Sequence, residues 1–167
     1  MKRFSLVHIP VAAALLAVSA CEDSTEDGDL ALYLLADDTL NAVEVYNIDL
    51  DSLTLADEPL LSIDEIKTYT WSDHSFTITQ TALARFESYE GSAVSVYGIP
   101  FIVVAGGERI YLGGLWAAYS SYGPSFPTIC VLPLTLAIRE AWGDADPDMR
   151  NDPRIYMELE ATGVLRR

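Results

Sequence analysis

Four groups of residues carry side chains that could do chemistry, and each needs a particular setting to do it. His74 follows Asp73, and an imidazole beside a carboxylate is the material of a general base and its orienting acid. Residues 74–78 alternate polar and apolar as a strand does, however, and strand neighbours point to opposite faces, so the two side chains do not aim at one proton. Asp144, Asp146 and Asp148 stand as D-x-D-x-D with Asn151 and Asp152 behind them, which is the hard-oxygen composition calcium takes. An EF-hand loop is excluded, because its glycine position holds Met149, its twelfth position holds Ile155 and Pro147 intrudes. An irregular calcium site and a solvated acidic turn leading into a helix cap at Asp152 both stay open. Tyr111, Trp116, Tyr119, Tyr122 and Phe126 cluster among glycines, serines and prolines. Exposed on a loop, such rings stack on sugars or anchor a peptide, with Ser120 and Ser121 supplying hydrogen bonds. Folded over a sheet, the same rings fill a core. No GxSxG, HExxH, CxxC or P-loop pattern occurs, so no catalytic residue and no cofactor is expected, and of the two readings of the acidic stretch the solvated turn, with no metal, is the expected one.

The fourth group is the thiols, Cys21 and Cys130. Cys21 closes the sequence LAVSAC, behind Lys2 and Arg3 and the apolar run VAAALLAV at 11–18. Ser19 and Ala20 are small enough for a peptidase cleft. The stretch from Phe4 to Ala20 is broken by His8 and Pro10, and it is short against the roughly 20 apolar residues of a spanning helix. A retained membrane anchor and an ordinary secretory signal are the alternatives. The pattern resembles the lipobox of bacterial lipoproteins. That resemblance implies that residues 1–20 are a signal peptide, that the Cys21 thiol carries lipid, and that the chain is held in the cell envelope. Glu22 after the cysteine, in place of aspartate, implies the outer membrane rather than the inner one. Each buried methylene contributes about 0.8 kcal/mol, so several acyl chains make a stable anchor. The membrane, reached through the lipid on Cys21, is then the first partner.

Removal of residues 1–20 takes away two of the 10 basic residues and none of the 25 acidic ones, so the net charge of −15 becomes −17. Such a surface repels phosphate backbones, which excludes nucleic acid and leaves a cationic or protein partner open. With Cys21 lipidated, Cys130 has no partner for a disulfide. It lies in the apolar run Ile129, Cys130, Val131, Leu132 and reads as a small buried hydrophobe.

The elements that must position these groups follow from local pattern. Residues 22–29 (EDSTEDGD) are polar and without period, a tether of up to about 25 Å. The domain occupies 30–167 and opens on a buried strand at 30–35, with a second strand expected near Ala42 to Tyr46. Ser62 and Glu65 have capping-box spacing, which predicts a short helix from Ile63 to Thr68. A strand with Phe76 and Ile78 inward follows. Thr79 then caps a helix bearing Ala82, Leu83, Phe86 and Tyr89 on one face, with Gly91 as its stop. Gly106 and Gly107 predict a type I′ hairpin between 101–105 and 108–112, with Val103 facing Ile110 and Phe101 facing Leu112. Its other face, pairing Ile102 with Tyr111 and Val104 with Arg109, reads as amphipathic and partly solvated. Residues 111–127 read as a loop, and 128–132 as a strand. Residues 134–142 fit either a helix or a strand. Asp152, Pro153 and Gly163 bracket a last helix with Ile155, Tyr156 and Leu159 on its stripe.

A further resemblance covers PFIVVAGGERIYLGGLW at 100–116, NDPRIY at 151–156 and residues 60–86. They look like a group of small bacterial lipoproteins that brings no activity with it. The order of capped short helix, strand, amphipathic helix and GG hairpin is similar to the periplasmic head domains of SecD-type translocation accessory proteins, which implies an architecture and not an export role. The expected fold is therefore α+β: a single domain with a mostly antiparallel sheet of about four to six strands and two or three helices packed chiefly on one face. The expected function is a non-enzymatic, membrane-anchored envelope lipoprotein that binds a protein or glycan partner through the aromatic loop around Trp116 and the hairpin's amphipathic face. A carboxylate-based hydrolase acting on glycans and a purely structural envelope protein are the alternatives.

Overall fold

The computed structural model describes residues 29–90, 94–143 and 147–167. Cys21, the tether up to residue 28, Gly91, Asp144 and Asp146 lie outside them. The described residues form a mixed α/β fold of nine strands and three α-helices. The strands are β1 (Ala31–Leu34), β2 (Leu61–Ser62), β3 (Ile66–Thr70), β4 (Ser75–Ile78), β5 (Ile99–Ala105), β6 (Glu108–Ala117), β7 (Thr128–Leu132), β8 (Leu134–Arg139) and β9 (Leu165–Arg166). The helices are α1 (Ala42–Val45), α2 (Gln80–Glu87) and α3 (Pro153–Ala161). One curled sheet runs in the order β2-β1-β5-β6-β7-β8-β4-β3-β9. It is mixed, since β6 with β7 and β3 with β9 run parallel while the other neighbours are antiparallel.

The hairpin at the sheet's centre forms where two adjacent glycines allow it. Gly106 and Gly107 sit at φ +59° and +75°, the sign a type I′ turn requires at both positions. Ala105 pairs with Glu108 and Val104 with Arg109 as expected, but beyond them Val103 faces Tyr111, Ile102 faces Leu112 and Phe101 faces Gly113. A bulge at this point inserts one residue into β6 and moves the remaining register by one. The strand also continues to Ala117, so residues 111–117 are sheet and not loop. Gly113 and Gly114 belong to it for a packing reason. A Cβ on Gly113 would stand 2.2 Å from Phe101, and one on Gly114 2.9 Å from Phe126.

Both faces of the sheet are buried, which is why β5 reads as an unbroken apolar run. One face carries Phe101, Val103, Tyr111 and Leu115 against α2 (Ala82, Phe86) and α3 (Ile155, Leu159), with Tyr69 and Phe76 of the curled half. The other carries Ile102, Val104, Leu112 and Trp116 under α1 (Ala42, Val45), Leu53 and Phe126. The hairpin face expected to be partly solvated is thus a second core. Its one cation, Arg109, turns its guanidinium onto the carbonyls of Leu50 and Leu53, 2.6 Å from the latter.

Two further expectations are corrected, and one left open between helix and strand is settled. Residues 42–45 form α1 rather than a strand, because Asn41 caps the Glu44 amide and Glu44 reaches back to Asn41. The Ser62 and Glu65 box does form, but it holds only a 3-10 turn at Ile63–Glu65. The chain then extends as β3, which buries Ile66 and Tyr69. Residues 134–139 settle as β8 against β7, with Ile129 paired to Ile138. Thr79 on α2 and Asp152 with Pro153 on α3 cap as their types dictate, and Gly163 ends α3 at φ +74°.

Candidate functional site

The five aromatic residues singled out by sequence divide between interior and surface. Tyr111, Trp116 and Phe126 are buried, whereas Tyr119 and Tyr122 are exposed. Trp116 is held between close neighbours: its ring centroid is 5.9 Å from Phe126 and 6.2 Å from Tyr122. Gly98 lies so near that a Cβ there would meet the indole at 2.6 Å. The loop after β6 is pinned from the side of residues 94–98. The Tyr119 hydroxyl donates to the Val94 carbonyl at 3.0 Å, and the Ser120 hydroxyl donates to Val96 at 2.7 Å. Ser120 also accepts the Tyr122 amide, so it is occupied within the fold rather than held out to a ligand.

A surface cleft of about 310 Å³ opens where Trp116 and Tyr122 meet Trp142, with Pro124 and Thr128 in its wall and Arg139 and Glu140 at its side. Trp142 is the most exposed large apolar side chain described, at 76%. Its position is fixed from behind, because its amide donates to the Pro124 carbonyl at 2.7 Å and its ring lies against Gly123. Tyr97 extends the patch, edge-on to Tyr122 at 6.1 Å. Sequence reasoning missed Trp142 and Tyr97, because both lie far from the 111–126 cluster along the chain. Their aromatic type was the only local signal.

A second cleft, of about 500 Å³, lies on the other side of residues 124–128. Tyr111 and Phe126 of the expected set line it, with Leu112, Met149 and the exposed Tyr46 and Ile48. Beneath it runs a polar seam. The Tyr69 hydroxyl and His74 Nδ1 share a hydrogen bond of 2.9 Å, and Arg150 grips Asp148 through Nε at 2.9 Å and a second nitrogen at 2.7 Å. Arg150 also donates to the Ile138 carbonyl at 2.9 Å and stands 3.6 Å from Glu140. Burial raises the phenol pKa of Tyr69 and raises that of Tyr111 well above the usual range. Burial, and then the nearby Arg150 charge, lower that of His74, while hydrogen bonds from Arg150 hold Asp148 below the ordinary carboxylate range.

His74 is not a strand residue. It sits at φ +53° in the turn before β4, buried at 4% exposure, while the Asp73 carboxylate accepts the Ser75 amide at 3.0 Å. The seam therefore reads as neutral phenol and imidazole beside a closed ion pair. Asp148, from the acidic D-x-D-x-D stretch, is taken by Arg150, and the other two aspartates fall outside the described residues. Among the described residues no three His, Cys, Asp or Glu side chains converge as a metal site. Cys130 is buried in β7 as a free thiol.

No family model, no curated protein and no solved structure matches this chain. Among the described residues no helix is long and apolar enough to cross a membrane.

Proposed function

We propose that this chain is a lipid-anchored binding module of a bacterial cell envelope: a single α+β domain on an acidic tether, held at Cys21 and taking a protein or glycan partner on the aromatic cleft. The observation that carries the reading is the cleft of Trp116, Tyr122 and Trp142. Rigid rings in a preformed concavity, with a guanidinium and a carboxylate beside them, match what sugar rings and peptide anchors need. Two of the rings are exposed although apolar burial would favour hiding them. The carboxylates lining the two clefts, Asp148 and Glu140, both stand within ion-pair distance of Arg150. Hydrogen bonds from Arg150 hold Asp148 below the ordinary carboxylate range, which suits an anion and not a general acid and so supports binding over carboxylate hydrolysis.

The test is a crosslinked pull-down of the lipidated chain from its native envelope. Trp142→Ala combined with Tyr122→Ala should lose the captured partner while leaving Tm within about 2 °C, since surface substitutions move stability little. Retention of the same partner by that variant overturns the assignment of the cleft. Cys21→Ser should release the chain from the membrane fraction, and failure to do so overturns the anchor.

A further inference from the structure

Ile110, Tyr111 and Leu112 of β6 are among the residues lining the second cleft. β7 joins β6 only from Gly114 onward, where Gly114 pairs with Thr128 and its amide donates to Pro127 at 3.0 Å. From Glu108 to Gly113 no described strand lies along that edge of β6, while β5 occupies the other edge. Backbone groups alternate sides along a strand, so the N–H and C=O of Leu112 point the same way as those of Gly114, into the cleft. Within the cleft the edge runs through Ile110, Tyr111 and Leu112, a span of about 10 Å.

Two walls turn this edge into a slot. Tyr46, Ile48 and Leu50 stand on one side and Pro147, Asp148 and Met149 on the other. Tyr46, Ile48 and Met149 are exposed, although each is a large apolar side chain. The slot is closed at one end by Ser125, Phe126 and Pro127.

We infer that the slot receives an extended, cationic peptide segment of a partner, which adds as a strand to the edge of β6 beside Leu112. Strand addition draws affinity from main-chain hydrogen bonds and specificity from alternate side chains, and an open edge with apolar walls offers both. Charge chooses the occupant. Asp49 and Asp51 flank the wall residue Leu50 outside any ion pair among the described residues, while Arg150 is neutralised by Asp148 on the opposite wall and Arg154 by Asp152 and Glu108. The chain as a whole carries −15. A second copy pairing edge to edge would bring two such fields together, whereas lysines or arginines alternating with apolar residues satisfy ladder, walls and charge at once.

The site is separate from the aromatic cleft, so the two readings fail independently. The test uses the full chain in neutral detergent micelles and a blocked hexapeptide of alternating lysine and valine, with one valine replaced by a photoreactive phenylalanine. Saturable binding is expected, with crosslinks to residues 110–112 or 147–149. A peptide N-methylated at every residue keeps its charge but loses its donors, and it should bind at least about tenfold more weakly, as should the glutamate–valine peptide. Met149→Lys should weaken binding by a similar factor at unchanged Tm, while Trp142→Ala leaves it unchanged. Equal binding of the methylated peptide, crosslinks confined to other surfaces, absence of binding, or self-association of the chain through β6 would each overturn the inference.

Discussion

His74 shows how one residue sets a physical constraint on the whole seam. Its backbone lies at φ +53°, a region a non-glycine residue enters rarely and asparagine tolerates best. Its ring is buried against Tyr69 and Trp71, with centroids 6.0 and 5.4 Å away. Burial lowers its pKa below 6.5, so the unfolded chain takes up the proton first as the pH falls. Stability is then full above about pH 6.5 and declines below it, because the denatured state binds the extra proton. His74→Asn retains the backbone preference and removes the titration. The wild-type urea midpoint should fall between pH 7.5 and about 5.5, above the range in which carboxylates titrate, and the variant's should stay flat across that window. A parallel fall in both would show that His74 is protonated without penalty. Gly113 makes the complementary point, since its hydrogen is the lid over the Phe101 ring. Gly113→Ala should destabilise by about 1 to 3 kcal/mol, the cost of overpacking a filled core, read as a lowered midpoint at unchanged m-value.

At the scale of elements, the sequence is legible where a short stretch carries its own reason. The Asp152 carboxylate accepts the Arg154 amide at 2.9 Å and also binds its guanidinium at 2.7 Å, so α3 starts where the residue types say it must. Asp152→Ala should cost about 1 kcal/mol as a lost cap, measurable in denaturant titration. Restoring an oxygen with Asp152→Ser should recover part of that loss, and equal losses would mean the ion pair rather than the cap does the holding. The GG turn, the α2 cap and the β4 pattern are local in the same way. What escaped reading depends on distant partners. Gly113 and Gly114 suggest a loop until Phe101 and Phe126 are seen lying on them. The bulge beyond Arg109 leaves no mark in composition, yet it decides that Tyr111 faces Val103. Residues 42–45 are too few to display a helical period, so only their capping box could have identified α1. Trp142 joined the aromatic site through β8, a strand that periodicity left undecided against a helix. The aromatic loop itself was half legible: type and clustering marked it, but only the fold could divide its rings between core and cleft.

At the scale of the whole molecule the dominant fact is the excess of anions, 25 against 10 cations. Two salt effects of opposite sign compete. Screening weakens the ion pairs that Arg85, Arg150 and Arg154 make with Glu65, Asp148, Asp152 and Glu108, and it also relieves repulsion among the carboxylates that no cation can neutralise. Exposed pairs are worth about 0 to 1 kcal/mol each, and their number is capped by the 10 basic residues. The bidentate geometry at Asp148, beside a largely buried Arg150, resists screening better than an exposed pair does. Repulsion in a chain of this imbalance has no such cap, because compaction raises every unpaired anion's field at once. The balance therefore favours stabilisation by salt. Raising sodium chloride from 10 to 300 mM, which shortens the screening length from about 30 Å to about 6 Å, should raise Tm by a few degrees, on the order of 1 kcal/mol. Potassium chloride should do the same, since the effect is screening and not ion binding. A falling Tm would mean that the ion pairs outweigh the repulsion. The same salt range should slow association with any cationic partner, so the condition that steadies the fold is the one that dulls its long-range attraction.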